Sequence, residues 1–229
     1  MCNVYLDYLK RYPTKIIFSF FYSLLPVIIL KYANINDDII LPFSIYGVIV
    51  TISGLLVIET VNLDHKANIY KRILVNKNIE YLVHKKVKFI SIVVVLYIVA
   101  MLLALGVYYY TLYENDLSYF LSILFNRSLL EKFIYMMVMI PFLVKYNVRL
   151  FMIVKSNFFK NFLRVVGSML LLSTILIDKV PIYGLSFILI LIMNRAISKR
   201  LQCYSAESYL HKINNYHSDN TEQKSYFSS

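Results

Sequence analysis

The stretch Phe89-Ile-Ser-Ile-Val-Val-Val-Leu-Tyr-Ile-Val-Ala-Met-Leu-Leu-Ala-Leu-Gly-Val-Tyr-Tyr-Tyr-Thr-Leu112 carries no charged side chain and follows directly on Lys85-Lys86-Val87-Lys88. Crossing ~30 Å of hydrocarbon takes about 20 helical residues. A run of this length, with lysines at one end and tyrosines at the other, reads as a transmembrane helix. In hydrocarbon the backbone must satisfy its own polar groups, so the run is helical. Residues 39–61 form a second long run, charged only at Glu59 near its end, and 14–30 a shorter one, charged only at Lys15 near its start. Three weaker runs follow at 129–144, 162–177 and 180–195. The fourth begins near Leu129, with Glu131 and Lys132 at the headgroups. The last two are separated by Asp178, Lys179 and Pro181 and read as a tight hairpin. The expected fold class is all-α, a polytopic membrane protein of about six transmembrane helices over residues 14–200.

Basic residues orient the chain. With six crossings, 20 of the 24 Lys and Arg fall on one side; Lys31, Arg127, Lys132 and Lys179 fall on the other. Acids are split nearly evenly, seven against six. Basic residues set orientation and acids contribute little, so the basic side is cytoplasmic and both termini lie there. Without the fourth span, Lys145, Arg149, Lys155, Lys160 and Arg164 would lie outside, against the same rule. An alternative for Leu117–Phe125 is a re-entrant piece in the outer leaflet.

The remaining segments are amphipathic or polar. Val4, Tyr5, Tyr8, Leu9 and Tyr12 recur at helical spacing among Asp7, Lys10 and Arg11, which describes an interfacial helix over 1–13 closed by Pro13. Loop 62–88 is rich in Lys and Arg, yet Val75, Ile79, Leu82 and Val83 form one helical stripe, with Ile69 and Ile73 a turn earlier. Such a segment lies on the membrane or docks a partner. A second basic loop spans 145–161, and 201–229 is a polar tail without apolar periodicity. Tyrosine alone supplies the interfacial belt, since Trp is absent.

Composition excludes several classes. The chain has 229 residues, is 59% hydrophobic and has a mean hydropathy of +0.62. Its net charge of +11 sits in loops beside spans, where anionic lipid explains it better than nucleic acid. Cys2 and Cys203 both fall on the reducing side, and no CxxC suggests zinc or redox chemistry. The first span lacks a small-residue cleavage site and reads as retained. Abundant Lys, Ile, Asn, Tyr and Phe suit an A/T-rich bacterial coding sequence, a statement about codons; the spans and their charge pattern give the expected location, a bacterial cytoplasmic membrane.

No catalytic or metal-binding residues emerge. There is no HExxH, and Gly184-Leu-Ser-Phe187 lacks the second glycine of an intramembrane serine protease. His65, His84, His211 and His217 are isolated. No GxxxxGK[ST] occurs, so the chain binds no nucleotide cofactor by a P-loop of its own. Two features remain. Ser44, Gly47, Thr51 and Gly54 put small side chains on one face of the second span, for packing within the chain or for a subunit interface; Gly167, Ser168, Ser173 and Thr174 are a weaker set of the same kind. Glu59 is an acid at the inner membrane boundary, better suited to an interfacial or structural role than to proton transport.

The order of these parts resembles the small type-2 ABC exporter permeases, including bacterial exporters of antimicrobial or amphipathic peptides. The local likeness runs from Glu59-Thr-Val-Asn-Leu-Asp64 through Arg72-Ile-Leu74 to Lys85-Lys86-Val-Lys88. In that family an acid ends the second span, a short coupling helix follows, and a basic residue opens the third span. Leu74-Val75-Asn76-Lys77 occupies the place of the family's Leu-x-Pro-Ile/Val-Ser stretch, without its Pro and Ser. The resemblance implies a second permease subunit, identical or homologous, and separate cytoplasmic ATPase subunits that bind the ATP. Ile73, Leu74 and Val75 would make the apolar contact with the ATPase, and Arg72 and Lys77 would steer it. The alternative is an ATP-independent membrane protein, either a secondary transporter or a peptide-immunity protein. A carrier calls for charge near the bilayer middle, which the spans 39–61 and 89–112 lack.

Overall fold

The computed structural model describes Phe21 and residues 37–66, 79–112, 118–153, 157–177 and 180–202. The expected helix 1–13, the first span apart from Phe21, the middle of loop 62–88 and the tail beyond 202 lie outside the described residues. Five long helices and one short one account for almost all of what is described: α1 (Asp37–Lys66), α2 (Ile79–Leu112), α3 (Ser118–Leu124), α4 (Arg127–Ile153), α5 (Asn157–Leu176) and α6 (Val180–Gln202). No strand occurs among the described residues.

Among the described residues four helices contain segments long and apolar enough to cross a membrane: Ile40–Thr60 in α1, Glu80–Thr111 in α2, Phe158–Leu176 in α5 and Pro181–Lys199 in α6. These correspond to expected spans 39–61, 89–112, 162–177 and 180–195. Each helix outruns its apolar stretch. α2 begins at Ile79 rather than Phe89, α4 continues to Ile153 rather than ending at 144, and α6 reaches Gln202 rather than 195. Loop 145–161 is therefore helical through 153 and again from 157. Hydropathy marks only the apolar part of a helix. Lys and Arg are good helix formers whose stems cover apolar surface, so charge ends the apolar stretch without ending the helix.

Residues 118–124 fold as the short helix α3. Beyond it Asn126 caps α4, its Oδ1 accepting the Ser128 amide at 3.1 Å. An exposed Arg127–Glu131 pair at 3.2 Å lies in the first turns of α4.

α4 is the hub and touches each of the other five described helices. Met136, Met139, Ile140, Leu143 and Val144 make a buried stripe at helical spacing. From Tyr146 to Leu150 all residues are buried, so the far end of α4 is enclosed on every side. α1 and α2 supply the facing apolar side chains, among them Ile45, Ile49, Ile52, Ile90, Val94 and Ile98.

Side-chain bonds fix how the helices run. Glu80 at the start of α2 meets Arg149 near the end of α4 and Ser198 near the end of α6. Tyr146 reaches Leu163 early in α5, and Arg164 lies against Gly54 of α1. At the opposite end Tyr135 of α4 bonds Ser186 and stacks on Tyr183 of α6. α4 and α6 thus run in one direction and α2 in the other. The end holding Glu80 also gathers Lys85, Lys86, Lys88, Lys145, Lys160, Arg195 and Lys199; we call it the basic end.

Candidate functional site

The enclosed end of α4 carries polar groups that must find partners. Buried polar atoms without hydrogen bonds are costly, more so when charged. Arg149, with a side chain only 7% exposed, solves this by joining three helices. Its Nη2 donates to both carboxylate oxygens of Glu80 at 2.8 and 3.0 Å, and its Nη1 donates to the carbonyl of Asn194 at 3.2 Å. The Ser198 hydroxyl donates to Glu80 Oε1 at 3.1 Å. The Asn194 amide donates to the carbonyls of Phe142 and Ile190 at 3.0 and 3.2 Å. The result is a knot of α2, α4 and α6 placed immediately after residues 67–78. Two buried atoms in it, the donor Arg149 Nε and the acceptor Asn194 Oδ1, have no hydrogen-bond partner among the described residues.

A second contact zone lies beside it. The Tyr146 hydroxyl donates to Leu163 O at 2.9 Å, and its ring atoms Cδ1 and Cε1 lie against α5 at Gly167. A Cβ at Gly167 would stand 2.8 Å from Tyr146 Cε1, so only glycine admits the ring this closely. On α1, a Cβ at Gly54 would overlap the Arg164 guanidinium. Lys160, one turn before Arg164 and 5% exposed, holds its Nζ 4.5 Å above the Phe151 ring.

The small-residue face of α1 divides into different environments. Ser44 is buried and donates back to Ile40 O at 2.6 Å, and Thr51 donates back to Gly47 O. Gly54 receives Arg164. Among the described residues nothing lies within 4 Å of where a Gly47 Cβ would be. Glu59 is half-buried near the end of α1. The docking candidates Arg72, Ile73, Leu74, Val75 and Lys77 lie outside the described residues. Among the described residues no group of His, Cys, Asp and Glu could hold a metal ion.

The knot of Glu80, Arg149, Asn194 and Ser198 was not visible as a site in the sequence. Its residues are distant in the chain, and Arg149 counts there only as one basic residue of a loop. The sole signal is a Glu at the opening of a Lys-rich helix. The class these observations define is a helical membrane protein whose buried charges, among the described residues, lie toward one end. Comparison with protein-family models, curated proteins and solved structures finds no match.

Proposed function

We propose that this chain is the membrane-spanning permease subunit of an ABC-type exporter. It moves a hydrophobic or amphipathic substrate, such as a peptide, with ATP hydrolysed by a separate cytoplasmic subunit, and the basic end faces the cytoplasm of a bacterial cell. In this reading the chain binds no cofactor and performs no catalysis. It works as a dimer with a second copy or a homologous permease.

The observation that carries the reading is the position of Glu80. Residues 67–78, with Ile73, Leu74 and Val75 flanked by Arg72 and Lys77, join α1 to α2. Glu80 is the second residue of α2 and is bound to α4 and α6 through Arg149 and Ser198. A force applied to the connecting segment would therefore pass into three helices together. An ATPase that docks there and shifts as it closes on ATP has a stiff linkage to the spans. Buried charges among the described residues, Lys86, Arg149 and Lys160, all lie toward the basic end. This favours the exporter over a carrier that would need charge at the bilayer middle.

The test is co-purification from native membranes. The tagged wild-type chain is expected to bring down an ATPase, and Ile73→Asp/Leu74→Asp is expected to lose it at unchanged membrane abundance. Retention of the ATPase by the variant would refute this docking site. Absence of any ATPase from the wild-type preparation would refute the exporter.

A further inference from the structure

We propose that α4 carries a hinge at Pro141. Its first half, 127–140, swings on a second half, 142–153, that is fixed at the basic end, and the Tyr135–Ser186 bond is the latch that holds the hinge closed. Pro141 lies inside α4. Proline has no amide hydrogen, so the bond that would reach the Met137 carbonyl is missing, and the ring crowds that carbonyl. Helices bend most readily where this rung is absent. The side chains beside it suit movement. Met136, Met137 and Met139 all precede Pro141 within five residues. Unbranched thioethers refill a changing gap where branched side chains would leave a void.

The two halves are held differently. In the second, residues 146–150 are all buried, Arg149 bonds α2 and α6, Tyr146 bonds α5, and the Phe142 carbonyl accepts from Asn194 of α6. In the first, Leu130, Ile134 and Val138 form an exposed stripe. This half meets α6 through the hydroxyls of Tyr135 and Ser186, 2.7 Å apart, beside the stacked rings of Tyr135 and Tyr183. The Ser186 proton goes to Ile182 O at 2.7 Å, so Tyr135 is the donor across the seam. A bond between neutral hydroxyls is weaker than a buried charged pair such as Glu80–Arg149. Under load the first half of α4 therefore parts from α6 before the knot does. The gap opens at the end opposite the basic end. In the exporter reading, on which this use rests, it is the way out for substrate.

The experiment uses the full chain, lacking both native thiols, in lipid nanodiscs. Spin labels are placed in pairs across α4 and α6: Leu130→Cys with Leu185→Cys at the end opposite the basic end, and Lys145→Cys with Arg195→Cys at the basic end. Pulsed electron paramagnetic resonance reads the width of each distance distribution. The Leu130–Leu185 pair is expected to be the broader. Pro141→Ala restores the missing amide and should narrow it to the width of the basic-end pair. Tyr135→Phe keeps the ring but removes the bond, and should broaden the Leu130–Leu185 pair further while the basic-end pair stays as it was. Equal widths before these substitutions, or a Leu130–Leu185 width that Pro141→Ala leaves unchanged, would overturn the hinge. A width that Tyr135→Phe leaves unchanged would overturn the latch. Should Pro141→Ala fail to fold, Pro141→Leu is read in the same way. No ATPase enters these measurements, so a missing hinge leaves the co-purification test of the exporter standing, and a failed co-purification leaves the hinge standing.

Discussion

Arg149 Nη2 lies 2.8 and 3.0 Å from the two carboxylate oxygens of Glu80, although the residues are 69 positions apart in the chain. The pair ties the helix that follows the basic connecting segment to the most enclosed part of the bundle. Removing one partner of a buried pair strands the other charge, which costs about 3–5 kcal/mol. Arg149→Ala strands a carboxylate that is 32% exposed, so its cost should fall toward the lower end of that range. Glu80→Ala strands the more deeply buried guanidinium and should cost more. The double variant should lose less than the two single losses combined, because no orphan charge remains. Thermal melting in detergent, run as a double-mutant cycle, measures the coupling.

Gly47 and Gly54 share one face of α1 but should respond in opposite ways to added bulk. Gly47→Ala meets no described residue and should gain about 0.5–1 kcal/mol from helix propensity. Gly54→Ala must displace the Arg164 guanidinium and should show no such gain. Gly47→Leu separates the two uses considered for this face. If a second subunit packs there, the variant should elute as a smaller species in size-exclusion chromatography with its melting midpoint preserved; an unchanged oligomer would remove Gly47 from the interface.

Tyr146 and Gly167 should behave as a packing pair. Gly167→Ala places a methyl against the ring and should cost about 1–3 kcal/mol, as overpacking does. Tyr146→Phe keeps the ring but removes the bond to Leu163 O, for about 1 kcal/mol. Tyr146→Leu should relieve much of the Gly167→Ala penalty, which the corresponding cycle of melting curves would show.

The sequence made part of this structure legible. Uncharged runs such as 89–112 locate the apolar parts of α1 and α2, because hydrocarbon and water sort side chains one residue at a time. The helix ends were less legible. Lys145 and Arg149 read as a loop by charge, yet α4 continues through both. The polar knot was hidden for another reason: whether Arg149 faces headgroups or Glu80 depends on which helices meet, and no local spacing encodes that. Gly47 and Gly54 make the same point, since equivalent small residues at helical spacing face no described side chain in one case and a guanidinium in the other. The docking candidates from Arg72 to Lys77 rest on their amphipathic pattern and on the likeness to exporter permeases.

Whether the basic end lies in the cytoplasm is tested most directly by thiol labelling on intact cells. With Cys2 replaced by Ser, Cys203 is the only thiol in the sequence, one residue beyond Gln202, where α6 ends at the basic end. A membrane-impermeant maleimide should leave it unmodified until the cells are permeabilised, whereas Asn126→Cys in a background lacking both native thiols should be labelled at once. Labelling of Cys203 from outside, with Asn126→Cys protected, would invert the orientation and remove the basis for an ATPase acting at this end.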